Sequence, residues 1–385
     1  MIIKLSDNIL SPLGATSEEN YRAIKAGASA LRPYDRRWEC VEPFVASLLD
    51  EEEINSRFAA LTAEETYTYF ERIVILSVVR ALADAQLDPT SARVRFILST
   101  TKGNVSLLDS RQAAYPEERA LLGVSAKVIT DYFRHPLPPI VVSNACISGV
   151  CAQMAGMRLL ESGACDAVVV TGADVLSPFV VSGFQSLKAL STAPCKPFDT
   201  ARCGLNLGEA AATVVYARKA DEAVLPADWC AVSGAVRNDA NHISGPSRTG
   251  EGSYRALRAV LGNEIDADEL AFVNAHGTAT PYNDEMEAIA IERAGLLSVP
   301  VNGLKGYYGH TLGAAGIVES LLSMQAVDDG TIPGTRGFDS CGVSRPLRLC
   351  AEHRPTAKRS FIKLISGFGG CNAALLFRKG GRSCK

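Results

Sequence analysis

The most constraining feature of this sequence is a local pattern that occurs twice: a short strand-like run, a tight turn, one reactive side chain, then a helix of small residues. In the first half, PIVVSNACISGVCAQMAGMRLLESG (139–163) carries Cys146 at the junction. In the second, VPVNGLKGYYGHTLGAAGIVESLLSMQ (299–325) carries His310 at the corresponding place. A glycine falls three residues after each, Gly149 and Gly313. The match is short, yet a true internal repeat has a specific consequence. A pseudo-twofold axis would bring two helix N-termini together, one carrying a thiol and the other an imidazole.

The rest of the chain keeps the same rhythm. VRFILST (94–100), PIVVS (139–143), AVVVTG (167–172) and AFVNAH (271–276) read as buried strands bounded by Gly, Ser or Asn. Between them, 72–87 and 283–294 carry apolar residues at three- and four-residue spacing, as helices do. Such alternation implies an α/β protein with largely parallel sheets. The most polar, proline-containing stretch near the middle is RKADEAVLPAD (218–228), so two halves are placed at 1–217 and 218–385. The acidic run Asp50–Glu53 reads as a solvated helix face.

Composition narrows the function. A chain of 385 residues, 47% hydrophobic and 21% charged, has enough apolar material for a large core. A net charge of −3 gives no basic field for nucleic acid or an anionic membrane. The start, MIIKLSDNILSPLG, lacks the basic-then-apolar order of a secretory signal, and no apolar run is long enough to span a bilayer. The expectation is a reduced, cytoplasmic protein whose eleven scattered cysteines are reactive or buried, not paired. No metal is expected: CxxC and HExxH are absent, and the set His276, Asp284 and Glu287 lacks supporting spacing.

Three residues could carry chemistry. Cys146 sits where a strand ends and a helix begins, and the unpaired N–H groups there favour thiolate over thiol. The alternative is a buried structural thiol, the reading preferred for Cys151 on the same helix. His276 closes the strand AFVNAH, where side chains of parallel sheets face a crevice. It could equally be a histidine that caps a loop. His310 is packed among glycines and could be a core residue. Together, one cysteine and two histidines at strand–helix junctions make a nucleophile with two hydrogen-bonding partners. Lys305 could reach back to Glu319 on the helix that follows His310. Near the C-terminus, KLISGFGGCNAALLF reads as strand, glycine turn, strand, with Phe368 alone between glycines and no phosphate-loop spacing.

Taken together these strings resemble the β-ketoacyl-[acyl-carrier-protein] synthase family, in its elongating Cys-His-His form. ILSPLG, ACISG, GFQSLKALS, KPFDTARCGLNLGEAA, HGTATPYNDEMEA, KGYYGHTLGAAG and GFGGCN follow the family's order along nearly the whole chain. The resemblance implies a thiolase-like fold: two similar halves stacked as a five-layered αβαβα sandwich, usually a homodimer. It makes Cys146 the acyl-accepting nucleophile, His276 and His310 the paired imidazoles, and Lys305 with Glu319 a buried ion pair. Asp284 and Glu287 become supporting carboxylates. Thr278 and Thr280 match positions that bond the phosphopantetheine arm, which the acyl carrier protein brings with its substrate, so no cofactor of the enzyme's own is implied. Phe368 matches a gating aromatic whose N–H joins that of Cys146 as an oxyanion hole. The implied reaction is decarboxylative Claisen condensation with a malonyl unit.

Several positions depart from the family pattern. Ser366 stands where a phenylalanine is common, Leu205 where an aromatic is, and Lys196 where arginine is usual. Cys203 and Cys371 stand where Asp and Thr are expected. The stretch TAEETYTYF (62–70) is acidic where relatives carry basic residues that dock the carrier, which leaves Arg202 as a docking candidate. These changes point to a specialised synthase of a polyene or other secondary pathway. Two rivals stand beside this reading. One is a thiolase-type enzyme acting on coenzyme A esters with Cys371 as base. The other is a partner subunit that sets chain length in a heterodimer, although such subunits typically lack the nucleophile.

Overall fold

The computed structural model describes residues 1–380 except 36, 39–40, 65, 110–114, 221–222, 244 and 263–264. Its centre is a ten-stranded sheet, whose strands are β1 (Ile2–Leu10), β2 (Val94–Ser99), β3 (Ile140–Val142), β4 (Ala167–Asp174), β5 (Ala210–Arg218), β6 (Trp229–Asn238), β7 (Leu270–Asn274), β8 (Val301–Asn302), β9 (Ser360–Gly367) and β10 (Cys371–Lys379). The order across the sheet is 8-7-9-10-6-1-5-4-2-3. The C-terminal five repeat the order of the N-terminal five, each strand number raised by five. The directions repeat too: β2 is parallel to β3 and β4, as β7 is to β8 and β9. In each half the remaining pairs, β1–β5 and β4–β5 or β6–β10 and β9–β10, are antiparallel. The internal repeat inferred from two short strings thus extends through both halves.

The expectation of largely parallel sheets does not hold; each half is mixed. Alternation of strand and helix patterns fixes the class of an element but not the direction in which a strand returns. Nor are the sheets separate: β1 and β6 pair over Ile2–Ala231 and Ile3–Cys230, which makes the two halves continuous. The proposed division at 217/218 falls at the last residues of β5.

The layers follow from which faces are apolar. Seven helices matter here: α1 (Tyr69–Ala85), α2 (Leu122–Tyr132), α3 (Ser148–Glu161), α4 (Pro178–Ser186), α5 (Glu251–Leu261), α6 (Pro281–Arg293) and α7 (Ala315–Asp328). Along β4, Val168 and Val170 face one apolar cluster while Ala167 and Val169 face another. Along β10, Ala373, Leu375 and Phe377 share the first cluster, and Ala374 and Leu376 belong to a third. Both faces of each half-sheet are therefore covered, which is why these strands read as continuous apolar runs. The shared cluster holds Val150, Met154 and Leu160 of α3 with Ile317, Leu321 and Leu322 of α7. Helices α1 and α2 cover the outer face of the N-terminal half, and α5 and α6 that of the C-terminal half. The result is the αβαβα sandwich.

Helix α7 is buried nearly all round, as a helix must be when sheets lie on both sides. It meets α3 at backbone distance: a Cβ on Gly316 would lie 2.6 Å from the amide nitrogen of Val150. One on Gly149 would lie 2.9 Å from the carbonyl oxygen of Gly313. The two glycines of the repeated motif thus stand against each other, and their contact draws Cys146 and His310 together.

Candidate active site

Cys146 follows Ala145, which adopts φ +45°, and precedes the start of α3 at Ser148. The left-handed backbone at a residue with a side chain is costly and marks an over-determined turn. The Ser148 hydroxyl fastens that turn, accepting from the Asn144 N–H at 2.7 Å and donating to the Ala145 carbonyl at 2.5 Å. The β9–β10 turn closes over it. A Cβ on Gly367 would come within 3.1 Å of the Cys146 amide nitrogen, and the Phe368 backbone N–H donates to the Cys146 sulfur.

Enclosure works against the thiolate that the helix terminus favours. Burial pushes the Cys146 thiol up to about 11, and Lys305 and Lys102 only partly oppose this. The sequence marks the helix terminus but not how deeply the sulfur is enclosed, and desolvation outweighs the neighbouring lysine charges.

His276 lies just beyond the end of β7, and His310 lies in the turn before α7. Their rings stand edge to face, with centroids 4.9 Å apart. Lys305 Nζ donates to His276 Nδ1 at 3.1 Å and to the His276 carbonyl at 2.6 Å. The Leu312 backbone N–H donates to His310 Nδ1 at 3.3 Å. Each Nδ1 is therefore an acceptor, and each neutral ring carries its proton on Nε2. Burial drives both imidazoles well below their ordinary basicity, and the Lys305 charge adds to the effect. His310 Nε2 is buried and has no hydrogen-bond partner among the described residues.

One ligand atom each from Cys146, His276 and His310 lie within 4.8 Å of one another, close enough to suggest a metal by distance alone. The donor set opposes it, because with protons on Nε2 the rings present N–H groups where a cation needs lone pairs.

The supporting residues are placed as follows. Lys305 Nζ meets Glu319 Oε1 at 2.7 Å, both side chains fully buried. Glu287 accepts the backbone N–H groups of His276 (2.6 Å) and Gly277 (2.8 Å). Asp284 accepts that of Phe198 at 2.7 Å. Burial raises these carboxyls to about 7 for Glu287 and about 6 for Asp284. Both hold backbone beside the site, so the set His276, Asp284 and Glu287 does not assemble around a shared point. Thr278 and Thr280 share a hydroxyl hydrogen bond of 2.8 Å and line the site's cavity of about 530 Å³. Phe368 lines it too and packs on Phe184 of α4 at 5.9 Å.

Two further residues that the sequence offered are placed as follows. The Arg202 guanidinium donates to the carbonyls of Asp199 and Gly342, so it ties its loop to the distant segment around Gly342. Cys371 bonds Asn238 at 3.7 Å and is not among the residues lining the cavity, which removes the thiolase base from beside Cys146. Cys203, Leu205 and Ser366 do line it. The sequence reading missed Lys363, whose Nζ lies 2.5 Å from Glu319 Oε2. The available signal was a lone lysine inside the apolar run FIKLI.

Comparison with known proteins decides the family. The model for the β-ketoacyl synthase N-terminal domain matches residues 6–222, and that for the C-terminal domain matches 230–339. The chain belongs to the β-ketoacyl synthase family. It is 28% identical to 3-oxoacyl-[acyl-carrier-protein] synthase 2 of Vibrio harveyi, over 96% of each chain. It is also 28% identical to the ketoacyl synthase alpha subunit of the tetracenomycin polyketide synthase of Streptomyces glaucescens, over 96% of this chain and 95% of that one. A ketosynthase from Xenorhabdus doucetiae, solved in complex with its chain length factor, superposes with a TM-score of 0.80 at 25% identity, over 98% of both chains. This synthase is accordingly a condensing acyltransferase with a thiolase-like fold.

Proposed function

We propose that the protein extends an acyl chain bound to Cys146 by one malonyl unit delivered on acyl carrier protein. The observation that carries the proposal is the pair of neutral Nε2–H imidazoles beside a buried thiol at the end of a largely apolar cavity. In the first half-reaction the Cys146 sulfur attacks an acyl thioester. The backbone N–H groups of Cys146 and Phe368 receive the oxyanion, and the thiol proton leaves on the departing carrier thiol. The malonyl thioester then places its carbonyl between His276 and His310. As CO₂ departs, the electrons collect on that oxygen, where two N–H donors already point. The carbanion attacks the acyl-Cys146 carbonyl, and the thiolate released takes up a proton. Departure of CO₂ supplies the driving force, so the chemistry calls for no redox cofactor or metal. Thr278 and Thr280, which line the cavity, would bond the phosphopantetheine arm.

Cavity residues Cys203, Leu205 and Ser366 support a specialised acyl substrate of secondary metabolism, and so does the likeness to polyketide ketosynthases. The proposed assembly is a cytoplasmic dimer, of two copies or of this chain with a second ketosynthase-like subunit. No helix among the described residues is long and apolar enough to cross a membrane. A purely structural subunit is disfavoured because nucleophile, both imidazoles and Lys305 are all in place. Intact-mass spectrometry of wild type and Cys146→Ala, incubated with a panel of acyl-carrier thioesters, tests the proposal. Acyl adducts on wild type alone, followed by CO₂ release and chain extension on adding malonyl carrier, are expected. A folded protein that accepts no acyl group from any donor would overturn it.

A further inference from the structure

We propose that Lys363 is a second positioning residue of the condensing site, holding the His276 segment and placing a further positive charge behind the two imidazoles. The inference rests on the condensing role given above. Lys363 lies on β9 opposite Asn274 of β7, and its side chain is fully buried. Its ammonium meets Asn274 Oδ1 at 2.7 Å, the Ala275 carbonyl at 3.1 Å and Glu319 Oε2 at 2.5 Å. Lys305 meets Glu319 Oε1, the His276 carbonyl and His276 Nδ1. An ammonium has three protons. Each lysine spends all three, Lys363 on Asn274 Oδ1 and on the carbonyls of Asn274 and Ala275, and between them they hold residues 274, 275 and 276 one after another while pairing with a single carboxylate.

The sharing has an electrostatic result. One carboxylate faces two ammonium groups, so the cluster behind His276 carries a net positive charge when both lysines are protonated. Burial brings Lys363 down to about 8, with Glu319 opposing the fall. The groups acting on the imidazole pair are Lys305, Lys363 and Glu319 from behind and Glu287 beneath the His276 backbone. Cys146 lies in front, and Lys102 acts on His310. A proton added to His276 Nδ1 would face the Lys305 ammonium. The charge on Lys363 raises the cost further and keeps the ring a neutral Nε2–H donor. An apolar residue at 363 would instead take the ion-pair partner from Glu319 Oε2 and the donor from Asn274 Oδ1 and the Ala275 carbonyl, so the lysine is more than filler.

The test is NMR titration of the His276 ring in histidine-labelled protein, tractable with five histidines, beside malonyl-carrier decarboxylation. The variants are Lys363→Met, Lys363→Gln and Lys363→Arg. Glutamine loses the charge but keeps an N–H donor, so it provides a folded neutral variant where methionine does not. In the neutral variants the His276 titration should rise by about one pH unit, the shift of a lost nearby charge. Their decarboxylation kcat should fall at least tenfold with KM within twofold, while arginine keeps the wild-type titration. A folded neutral variant with an unmoved His276 titration overturns the proposal, whatever its stability. Because the titration is read without substrate, failure of the condensing role would appear separately, as an absence of decarboxylation in wild type.

Discussion

His276 and His310 meet edge to face, ring centroids 4.9 Å apart and planes at 83°, although they come from different segments of the C-terminal half. His276 follows a strand and is oriented by an ammonium. His310 precedes a helix and is oriented by a backbone N–H. Both arrangements leave the Nε2–H as the donor, so either ring alone offers half of the site that an enolate oxygen needs.

Removing one such donor should therefore cost decarboxylation more than loading. His276→Ala and His310→Ala are each expected to slow CO₂ release from malonyl carrier by about 10²–10³, the usual cost of one oxyanion donor. Acylation of Cys146, which uses the backbone N–H groups of residues 146 and 368, should survive far better. Stopped-assay mass spectrometry for the acyl-enzyme, run beside CO₂ measurement, separates the two. Equal loss in both half-reactions would assign the imidazoles to the nucleophile instead.

The Cys146 thiol itself should titrate late. Its folded value is raised to about 11, so the protonated form holds through neutral pH and the thiolate grows only as pH rises toward that value. At pH 7 the thiolate fraction is on the order of 10⁻⁴, and alkylation by iodoacetamide should climb about tenfold per pH unit from 7 to 10. The rate is read from the mass of the Cys146 peptide. A plateau below pH 9 would mean that the helix terminus and the lysines overcome burial.

Much of this was legible in the sequence because the chemistry sits at breaks in pattern. Cys146 and His310 each follow a strand and a turn and precede a small-residue helix, and the glycines behind them report a close helix–helix approach. Strand direction was not legible, since β4 and β5 read alike whichever way they run. Lys363 was missed for a related reason. A lysine in a strand normally signals a solvated face, but when a sheet is covered on both sides every position is interior. A charge there must then have a partner supplied by distant residues such as Glu319. The state of the Cys146 thiol depends on enclosure by the 366–370 turn, which lies more than two hundred residues away in the chain.

The close approach of α3 and α7 should be intolerant of a single methyl group. In Gly316→Ala the new Cβ would lie 2.6 Å from the Val150 amide nitrogen, and backbone cannot yield as a flexible side chain does. Overpacking of this kind costs about 1–3 kcal/mol. The urea midpoint should fall accordingly, and displacement of α3 should slow Cys146 acylation as well. Wild-type stability and acylation together would show that the helices can part without penalty.

Asp329 ties the end of α7 to the helix Ser17–Lys25 and should make folding sensitive to acid. It accepts from Lys25 at 2.6 Å, Thr331 at 2.7 Å and Tyr21 at 2.8 Å. These bonds, led by that of Lys25, lower its carboxyl to about 2. A folded value below the unfolded one means that the stabilisation is present above the unfolded value and is lost as pH falls through the folded one. Wild type should melt above Asp329→Asn at pH 6, with the difference closing between pH 4 and pH 2. A melting difference independent of pH would assign the effect to packing. The pair is partly exposed, so the effect should be modest and reduced by salt.

Ser366 gives the most direct test of what the cavity accepts. It lines the cavity at the position where the family resemblance leads to an expected phenylalanine, and its hydroxyl donates to Asn372 Oδ1 at 2.8 Å with Ser253 3.3 Å away. A Ser366→Phe side chain would have to displace that polar group and occupy space beside Phe368. The expectation is that short acyl groups reach Cys146 without this space, whereas longer or stiffer chains need it. Competition among acyl carriers of graded length, read as adducts on Cys146, should therefore shift toward short chains, with acetyl loading within about threefold of wild type. An unchanged length profile in a folded variant would place the acyl chain along another wall of the cavity, and would withdraw Ser366 from the argument for a specialised substrate.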